Sequence, residues 1–313
     1  MLITGAGLLG REAARQLRQA GHQVWFCDVH LPPGALGREA DVTLFPEVLA
    51  AFQEARPEAV LHTAGLVGPV ARRRHLAAAY INVVGTLLTL EAARLCGARR
   101  YVLCSTALVY DHAGTARQGL AALDELRSTL SPAEMYGGSK LAAEALVHSY
   151  ARNFGLEGIA LRFPRIYGPL LERTQGAAMQ ELGPILRALQ ERREAEVPVP
   201  QPDRRTEYVY VKDAARGCLL ALTAPAGAPF RAYNIGSGEL WTLREILGLL
   251  EELVPGTTRL VRLASPEGAP RYPEHTLPLD LTRSREELGY SPQYPMREGL
   301  RDLLAELGIP AVV

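Results

Sequence analysis

Ser105-Thr106 and the stretch Tyr136-Gly137-Gly138-Ser139-Lys140 hold the residue types whose spacing offers a reaction. Tyr136 and Lys140 stand four apart, so on a helix they share one face a turn apart. A free tyrosine titrates near pH ~10. A neighbouring ammonium favours the phenolate, and the pair can then take a proton from a substrate hydroxyl. A Ser or Thr hydroxyl at a strand end can hold the same oxygen as charge develops on it. The Tyr-x-x-x-Lys spacing also occurs in helices with no catalytic task, so its meaning depends on what lies upstream.

Upstream, Met1-Leu2-Ile3 reads as a short apolar strand that ends in Thr4-Gly5-Ala6-Gly7-Leu8-Leu9-Gly10 and enters a helical pattern from Arg11 to Ala20. This Gly-x-Gly-x-x-Gly between strand and helix allows a tight turn and close approach of a pyrophosphate to the helix N-terminus. A second strand, Val24 to Cys27, finishes at Asp28, 18 residues after Gly10, where an acid can bind a ribose hydroxyl pair. The Asp28 carboxylate would repel the 2′-phosphate of NADP, and no arginine follows it until Arg38, which favours NAD; Arg11 keeps NADP open. Asp41 to Leu44 is expected as a third strand, Pro46 to Ala55 as a helix, Ala59 to Gly65 as a fourth strand, Ala77 to Cys96 as a long helix and Tyr101 to Thr106 as the next strand. Such alternation predicts an α/β fold: a Rossmann-type, doubly wound parallel sheet covered on both faces. The reactive triplet then lies at a strand's carboxyl end, where these sheets bind ligands. The Asp111 to Pro132 loop is long enough for a partial lid.

Composition narrows the partners. The 313 residues carry 34 basic and 34 acidic side chains, so no global field draws the chain to nucleic acid or an anionic membrane. Arg72-Arg73-Arg74 reads as a solvated face, and no apolar run is read as reaching the ~18 residues of a membrane helix. Cys27, Cys96, Cys104 and Cys218 fall singly in apolar patterns and read as reduced core residues of a cytoplasmic protein. The seven histidines show no paired metal spacing; His62 reads as a strand residue near the cofactor.

The glycine turn, Asp28, His62-Thr63-Ala64-Gly65, Asn82-Val83-Val84-Gly85-Thr86, Ser105-Thr106 with Val109-Tyr110, and Tyr136 with Lys140 occur in an order that resembles the extended short-chain dehydrogenase/reductases, the NAD-dependent epimerase/dehydratase family. Arg162 to Pro169, Tyr208 to Asp213, Asn234 to Gly238 and Leu288 to Pro292 are similar to that family's later signatures, so the resemblance spans nearly the whole chain. It implies NAD as cofactor, Tyr136 as the acid/base, Lys140 on the nicotinamide ribose, and Thr106, with Ser105 beside it, on the reacting oxygen. It also implies a dinucleotide site formed by Gly5, Gly7, Leu8, Leu9, Gly10 and Asp28, with Asp41 and Val42 near adenine and Ala64 and Gly65 along the cofactor. Asn82 matches a helix asparagine supporting the site; a hydrogen bond tying a helix to a neighbouring strand explains it equally. The helices Ala77 to Cys96 and Ala142 to Asn153 match those that pair across a two-fold axis, so a homodimer is expected.

Departures from the family pattern bear on cofactor and substrate. Gly5 and Gly7 lie two apart rather than three, which bears on affinity for the cofactor's pyrophosphate; for the substrate, Thr206 falls where a substrate-phosphate arginine is common, Arg165 replaces a frequent asparagine, and Pro198 to Pro202 replaces a glycine-rich turn. Each of the last three weakens the case for a nucleotide diphosphate. Ala107-Leu108 follows Thr106 in place of the acids of the dehydratases and decarboxylases, and Cys104 lies before the serine rather than where the 3,5-epimerising members have a cysteine. What remains is a 4-epimerase of a sugar or nucleotide sugar, or a simple dehydrogenase or ketoreductase on a free sugar, sugar acid or other small alcohol. A non-catalytic dinucleotide-binding regulator would share the glycine turn without needing the Tyr-Lys pair.

The expected division is a mainly NAD-binding domain over residues 1–168 and a mainly substrate-binding lobe over 169–313. Segments near 206–235, Tyr208 to Val211 and Ala232 to Ile235 among them, are expected to return to the first domain. Arg165, Arg204, Arg205 and Arg271 are the candidates to hold an anionic substrate, against the alternative of solvated surface arginines. Asp213 is expected to cap the helix that follows it.

Overall fold

The computed structural model describes residues 1–169, 176–266 and 276–312. Seven strands form one parallel sheet: β1 (Leu2–Thr4), β2 (Trp25–Asp28), β3 (Gly37–Glu39), β4 (Ala59–His62), β5 (Arg100–Thr106), β6 (Glu157–Phe163) and, after three strands outside this sheet, β10 (Phe230–Asn234). Their order is β10-β6-β5-β4-β1-β2-β3, a Rossmann-type arrangement in which the chain winds outward in opposite directions from β1 and β4. Side chains alternate faces along each strand. Ile3, Leu61 and Val102 pack with helix α1 (Leu8–Gln19) and the helix Val211–Thr223, while Leu2, Val60, Tyr101 and Leu103 pack on the other face with α2 (Phe45–Ala55) and the helix Met135–Phe154. Burial on both faces explains why these strands read as continuous apolar runs.

The expected third strand is corrected. Asp41 to Leu44 is a turn, because the Asp41 carboxylate accepts from the Thr43 amide and hydroxyl at 2.8 Å and competes with a ladder. The strand lies earlier, at Gly37–Glu39. The long helix is a continuous run from His75 to Leu95 with a π-helical turn at Tyr80–Val84. By length and composition, with mean hydropathy 1.5, it is long and apolar enough to cross a membrane, which the sequence reading did not see. Its Asn82, Thr86 and Thr89 are fully buried and hydrogen-bonded within the fold. The helix serves as a core element between α2 and the Met135–Phe154 helix.

A second assembly contains β7 (Arg165–Tyr167), β9 (Thr206–Tyr210) and β11 (Leu240–Trp241) in a three-stranded sheet, with a separate pair of β8 (Ala195–Pro198) and β12 (Val261–Ala264). The helices Ala177–Glu191, Leu243–Leu253 and Met296–Glu306 share one apolar core with them. Of the 206–235 span, β10 joins the large sheet and Val211–Thr223 packs on α1, whereas Tyr208 to Tyr210 belongs to the small sheet. Asp213 lies inside the first turn of its helix, not at its cap, and its carboxylate accepts from the Gln293 and Tyr294 amides. The 111–132 loop is pinned rather than loose: Tyr110 bridges to Leu130, Leu123 bridges to Leu279, and a helix forms at His112–Arg117.

Candidate active site

The turn after β1 is closed by contacts that leave no room for side chains at Gly5 and Gly10. Gly5 has φ of 94°, and a Cβ on Gly10 would stand 2.0 Å from the Gly5 carbonyl oxygen. Thr63, just beyond β4, donates its hydroxyl to the Thr4 and Gly5 carbonyls at 2.8 and 2.7 Å. Asp28, at the end of β2, accepts from the Ala6 amide at 2.6 Å and the His30 amide at 2.9 Å, so the acid and the glycine turn are held together. Leu8 and Leu9 open α1 and turn partly towards the second assembly's core. Arg11 donates Nε to the Ala6 carbonyl at 2.7 Å, and Arg38 is ion-paired with Glu54. Neither sits as a dedicated 2′-phosphate partner. Val42 is buried against Gly85, while the Asp41 carboxylate is taken by its own turn. This cradle fits a dinucleotide whose pyrophosphate crosses the α1 N-terminus.

On the other side of the sheet's crevice, β5 delivers Thr106, and Tyr136 is the second residue of the helix Met135–Phe154. The helix begins close to the turn after β5 because a Cβ on Gly137 would lie 2.2 Å from the Leu108 carbonyl oxygen. The Tyr136 phenol is thereby brought near the Thr106 hydroxyl, which favours its ionised form and itself accepts from the Leu108 amide at 3.3 Å. Both are buried, as is Lys140 one turn on. Lys140 Nζ lies beside Gly65, where an added Cβ would be 3.4 Å from it and 2.9 Å from Asn82 Oδ1.

Asn82 sits in the π-helical turn, a feature often found at functional sites. Its Oδ1 accepts from the Leu66 amide at 2.8 Å, and its Nδ2 donates to the Leu66 carbonyl and to Ser139 Oγ, both at 2.9 Å. It therefore ties the helix to the loop after β4 and to the Tyr136 helix. Ala64 and Gly65 lie in that same loop, half-buried.

The electrostatics differ from the simple Tyr-Lys expectation. Burial pushes the Tyr136 phenol above its usual range, Cys104 adds to this, and the Thr106 hydroxyl works against it. Burial pulls the Lys140 ammonium down to about 8, opposed by Cys104 and Glu144. His62 is held well below its ordinary value by burial and by Lys140, and bridges the Thr4 and Thr86 hydroxyls at 2.6 and 3.1 Å. Ser105 does not join Thr106. Its hydroxyl donates to Glu144 Oε1 at 2.5 Å, and Glu144 is ion-paired with Arg162 at 2.7 Å, each only 4% exposed.

A cleft in the second assembly is lined by Arg165, Glu181, Gln201, Arg204, Thr206 and Tyr208. Arg165 donates to Glu181 at 2.5 Å, and the Tyr208 hydroxyl donates to the same oxygen at 3.1 Å. Arg205 faces elsewhere, pairing with Glu245 at 2.6 Å while its side chain stays 58% exposed. Arg271 lies outside the described residues. His112, which sequence reasoning passed over, accepts from the Leu277 amide at Nδ1 at 3.3 Å. Burial first, then Arg204, lowers its pKa to about 4. Glu181 and Glu144 were also missed; Glu144 carried a signal, lying four residues beyond Lys140.

A Rossmann-type sheet with this cradle and this buried Tyr-Lys helix defines an NAD-dependent enzyme of the extended short-chain dehydrogenase/reductase type. The sequence profile of the NAD dependent epimerase/dehydratase family matches residues 1–236, and the chain belongs to that family. A UDP-glucose 4-epimerase from Corynebacterium glutamicum is 27% identical over 94% of this chain and 91% of its own length. A GDP-mannose 3,5-epimerase from Oryza sativa subsp. indica is 24% identical over 96% of this chain and 79% of its own. The solved UDP-glucose 4-epimerase of Thermus thermophilus in complex with NAD superimposes with a TM-score of 0.81 at 25% identity, covering 98% of each chain.

Proposed function

We propose that this enzyme is a 4-epimerase of nucleotide sugars. The observation that carries the reading is the meeting of the Thr106 hydroxyl and the Tyr136 phenol at the end of β5, with Lys140 a turn away beside Gly65. Bound NAD supplies a hydride acceptor and donor. Tyr136 Oη takes the proton of the substrate hydroxyl and returns it, Thr106 Oγ1 holds the same oxygen, and Lys140 places a positive charge beside them. Ala107 and Leu108, next along the chain, offer no acid to remove water or a carboxylate. Oxidation followed by re-reduction from the other face uses only these groups. The relatives named above support an epimerase, and Arg204 and Arg165 in the cleft are suited to the substrate's anionic part.

A second reading, a net dehydrogenase on an uncharged sugar, is favoured by one observation: Glu181 already neutralises Arg165. The same reading of the chain includes a cytoplasmic homodimer, in which Tyr80, Leu87, Leu95 and Phe154, exposed on the two paired helices, would be covered. The test is to release and identify the cofactor of the purified protein, then follow nicotinamide absorbance and product with UDP-glucose and with free sugars. Retained NAD and interconversion of UDP-glucose and UDP-galactose without net absorbance change are expected. Stoichiometric NADH formation on a free sugar would overturn the epimerase.

A further inference from the structure

Behind the reacting groups runs a buried polar chain that the reaction as described does not use. It starts at Ser105, whose hydroxyl donates to Glu144 Oε1. Arg162, on β6, grips both Glu144 oxygens with Nε at 3.1 Å and Nη2 at 2.7 Å, and its Nη1 donates to the Tyr110 hydroxyl at 2.9 Å. The Tyr110 hydroxyl donates to Asn234 Oδ1 at 2.8 Å, and Asn234 Nδ2 reaches the Leu123 and Asp280 carbonyls at 2.7 and 3.0 Å. The Asn234 amide donates to Glu125 at 2.7 Å. One connected set of hydrogen bonds thus links the strand end beside Thr106, the helix of Tyr136 and Lys140, and the 111–130 cover.

We propose that Glu144, held by Arg162 and Ser105, is the positioning residue of this reaction centre, fixing Lys140 and the Thr106 end of β5 in register with each other and with the cover. Glu144 stands one turn beyond Lys140 on the same helix face. Ser105 and Thr106 are consecutive on a strand and project to opposite faces. Thr106 meets the phenol, and Ser105 is committed to the carboxylate. Ser105 is therefore part of the support and does not touch the substrate. A fully satisfied buried network of this kind rigidifies what it joins.

Glu144 also acts on Lys140 by charge. The groups acting on or facing Lys140 are Cys104 from β5, Glu144 from its own helix and His62 from β4; burial pulls its pKa down, while Cys104 and Glu144 hold it up. Neutralising Glu144 removes a negative charge and leaves the Arg162 guanidinium uncompensated, and both changes disfavour the ammonium.

The proposal rests on the reading that Tyr136 and Lys140 run the reaction. Its test measures kcat and KM with UDP-glucose from pH 6 to 10 for the wild type, Glu144→Gln, Glu144→Asp, Ser105→Ala, Thr106→Ala and Tyr136→Phe. In Glu144→Gln the alkaline fall of kcat is expected about one unit or more lower in pH, with KM nearly unchanged, and Glu144→Asp restores the position of that limb. Ser105→Ala keeps kcat within about threefold of wild type, whereas Thr106→Ala loses on the order of a hundredfold. A Glu144→Gln profile parallel to wild type, reduced equally at every pH, overturns the proposal. If Glu144→Gln does not fold, Ser105→Ala decides by the same readout: an alkaline limb moved down in pH with kcat within about threefold supports the proposal, and a profile parallel to wild type, or a loss as large as that of Thr106→Ala, overturns it. Activity surviving in Tyr136→Phe would instead refute the acid/base reading, so the two failures are distinguishable.

Discussion

The glycine turn gives a paired test in which fold and cofactor binding separate. Gly7 caps α1 at φ −77° and ψ −165°, a conformation open to any residue, and a Cβ there would meet nothing within 4 Å. Alanine at an N-cap is less favourable than glycine by about 0.5–1 kcal/mol, so Gly7→Ala should lower Tm by no more than about 2–4 °C. The space it fills is where the glycine turn would bring a dinucleotide's pyrophosphate to the helix N-terminus. A methyl group intruding there costs about 1–3 kcal/mol, a rise of roughly 5–150-fold in the Kd for NAD. Gly10→Ala is the contrast. Its Cβ would be 2.0 Å from the Gly5 carbonyl oxygen, so α1 and the turn must part and stability falls with affinity. Calorimetric melting with and without NAD, together with titration of NAD into each protein, reads both quantities. Wild-type NAD affinity in Gly7→Ala would refute the placement of the dinucleotide over this turn.

Other expectations follow from the site. Arg204 lines the cleft and Arg205 does not. Arg204→Ala should raise KM for UDP-glucose about tenfold or more, the loss of a charge-assisted contact of about 1.5–3 kcal/mol, while Arg205→Ala stays within twofold; equal effects in steady-state kinetics would remove Arg204 from the substrate site. Lys140 provides a stability test with a defined sign. Its folded pKa of about 8 lies below the ordinary 10.5, so burial of the ammonium costs stability at neutral pH, and the cost is relieved as pH rises from about 8 to 10.5. Lys140→Met should therefore abolish turnover yet raise Tm at pH 7, reflecting on the order of 2–4 kcal/mol. That gain should fade near pH 10, and a melting point lowered at pH 7 would contradict it.

Strands β1, β2, β4 and β5 were legible because parallel strands buried on both faces are apolar throughout, whereas β6 was not assigned and β10 was seen only as a segment, Ala232 to Ile235, returning to the first domain. The third strand was misplaced. Gly37-Arg38-Glu39 has no apolar signature, since as an edge strand it needs only backbone pairing with Phe26 to Asp28, and the more apolar Asp41 to Leu44 drew the assignment instead. The Asp41 carboxylate reveals the turn only once its reach to Thr43 is considered. The arginines show a different limit. Nothing local separates Arg204 from Arg205 in sequence; which one enters the cleft is set by the partner each finds, Glu245 claiming Arg205 from a helix 40 residues away.

Ser105 and Thr106 could have been separated without coordinates. Adjacent residues of a strand project to opposite faces, so in a sheet covered on both sides they cannot serve one substrate oxygen while the strand stays regular. One of the pair had to face the helix layer, and a hydroxyl buried there needs an acceptor. The face of that helix is written in the sequence as Tyr136, Lys140 and Glu144, four apart each time, and Glu144 is the acceptor it offers. A carboxylate so placed then requires a cation of its own, because an unpaired buried charge costs about 3–5 kcal/mol. Arg162 pairs with Ser105 in the β5–β6 ladder, and its guanidinium meets the carboxylate from there. Arg162, the first residue of the Arg162 to Pro169 signature, is thereby accounted for by charge balance around Glu144.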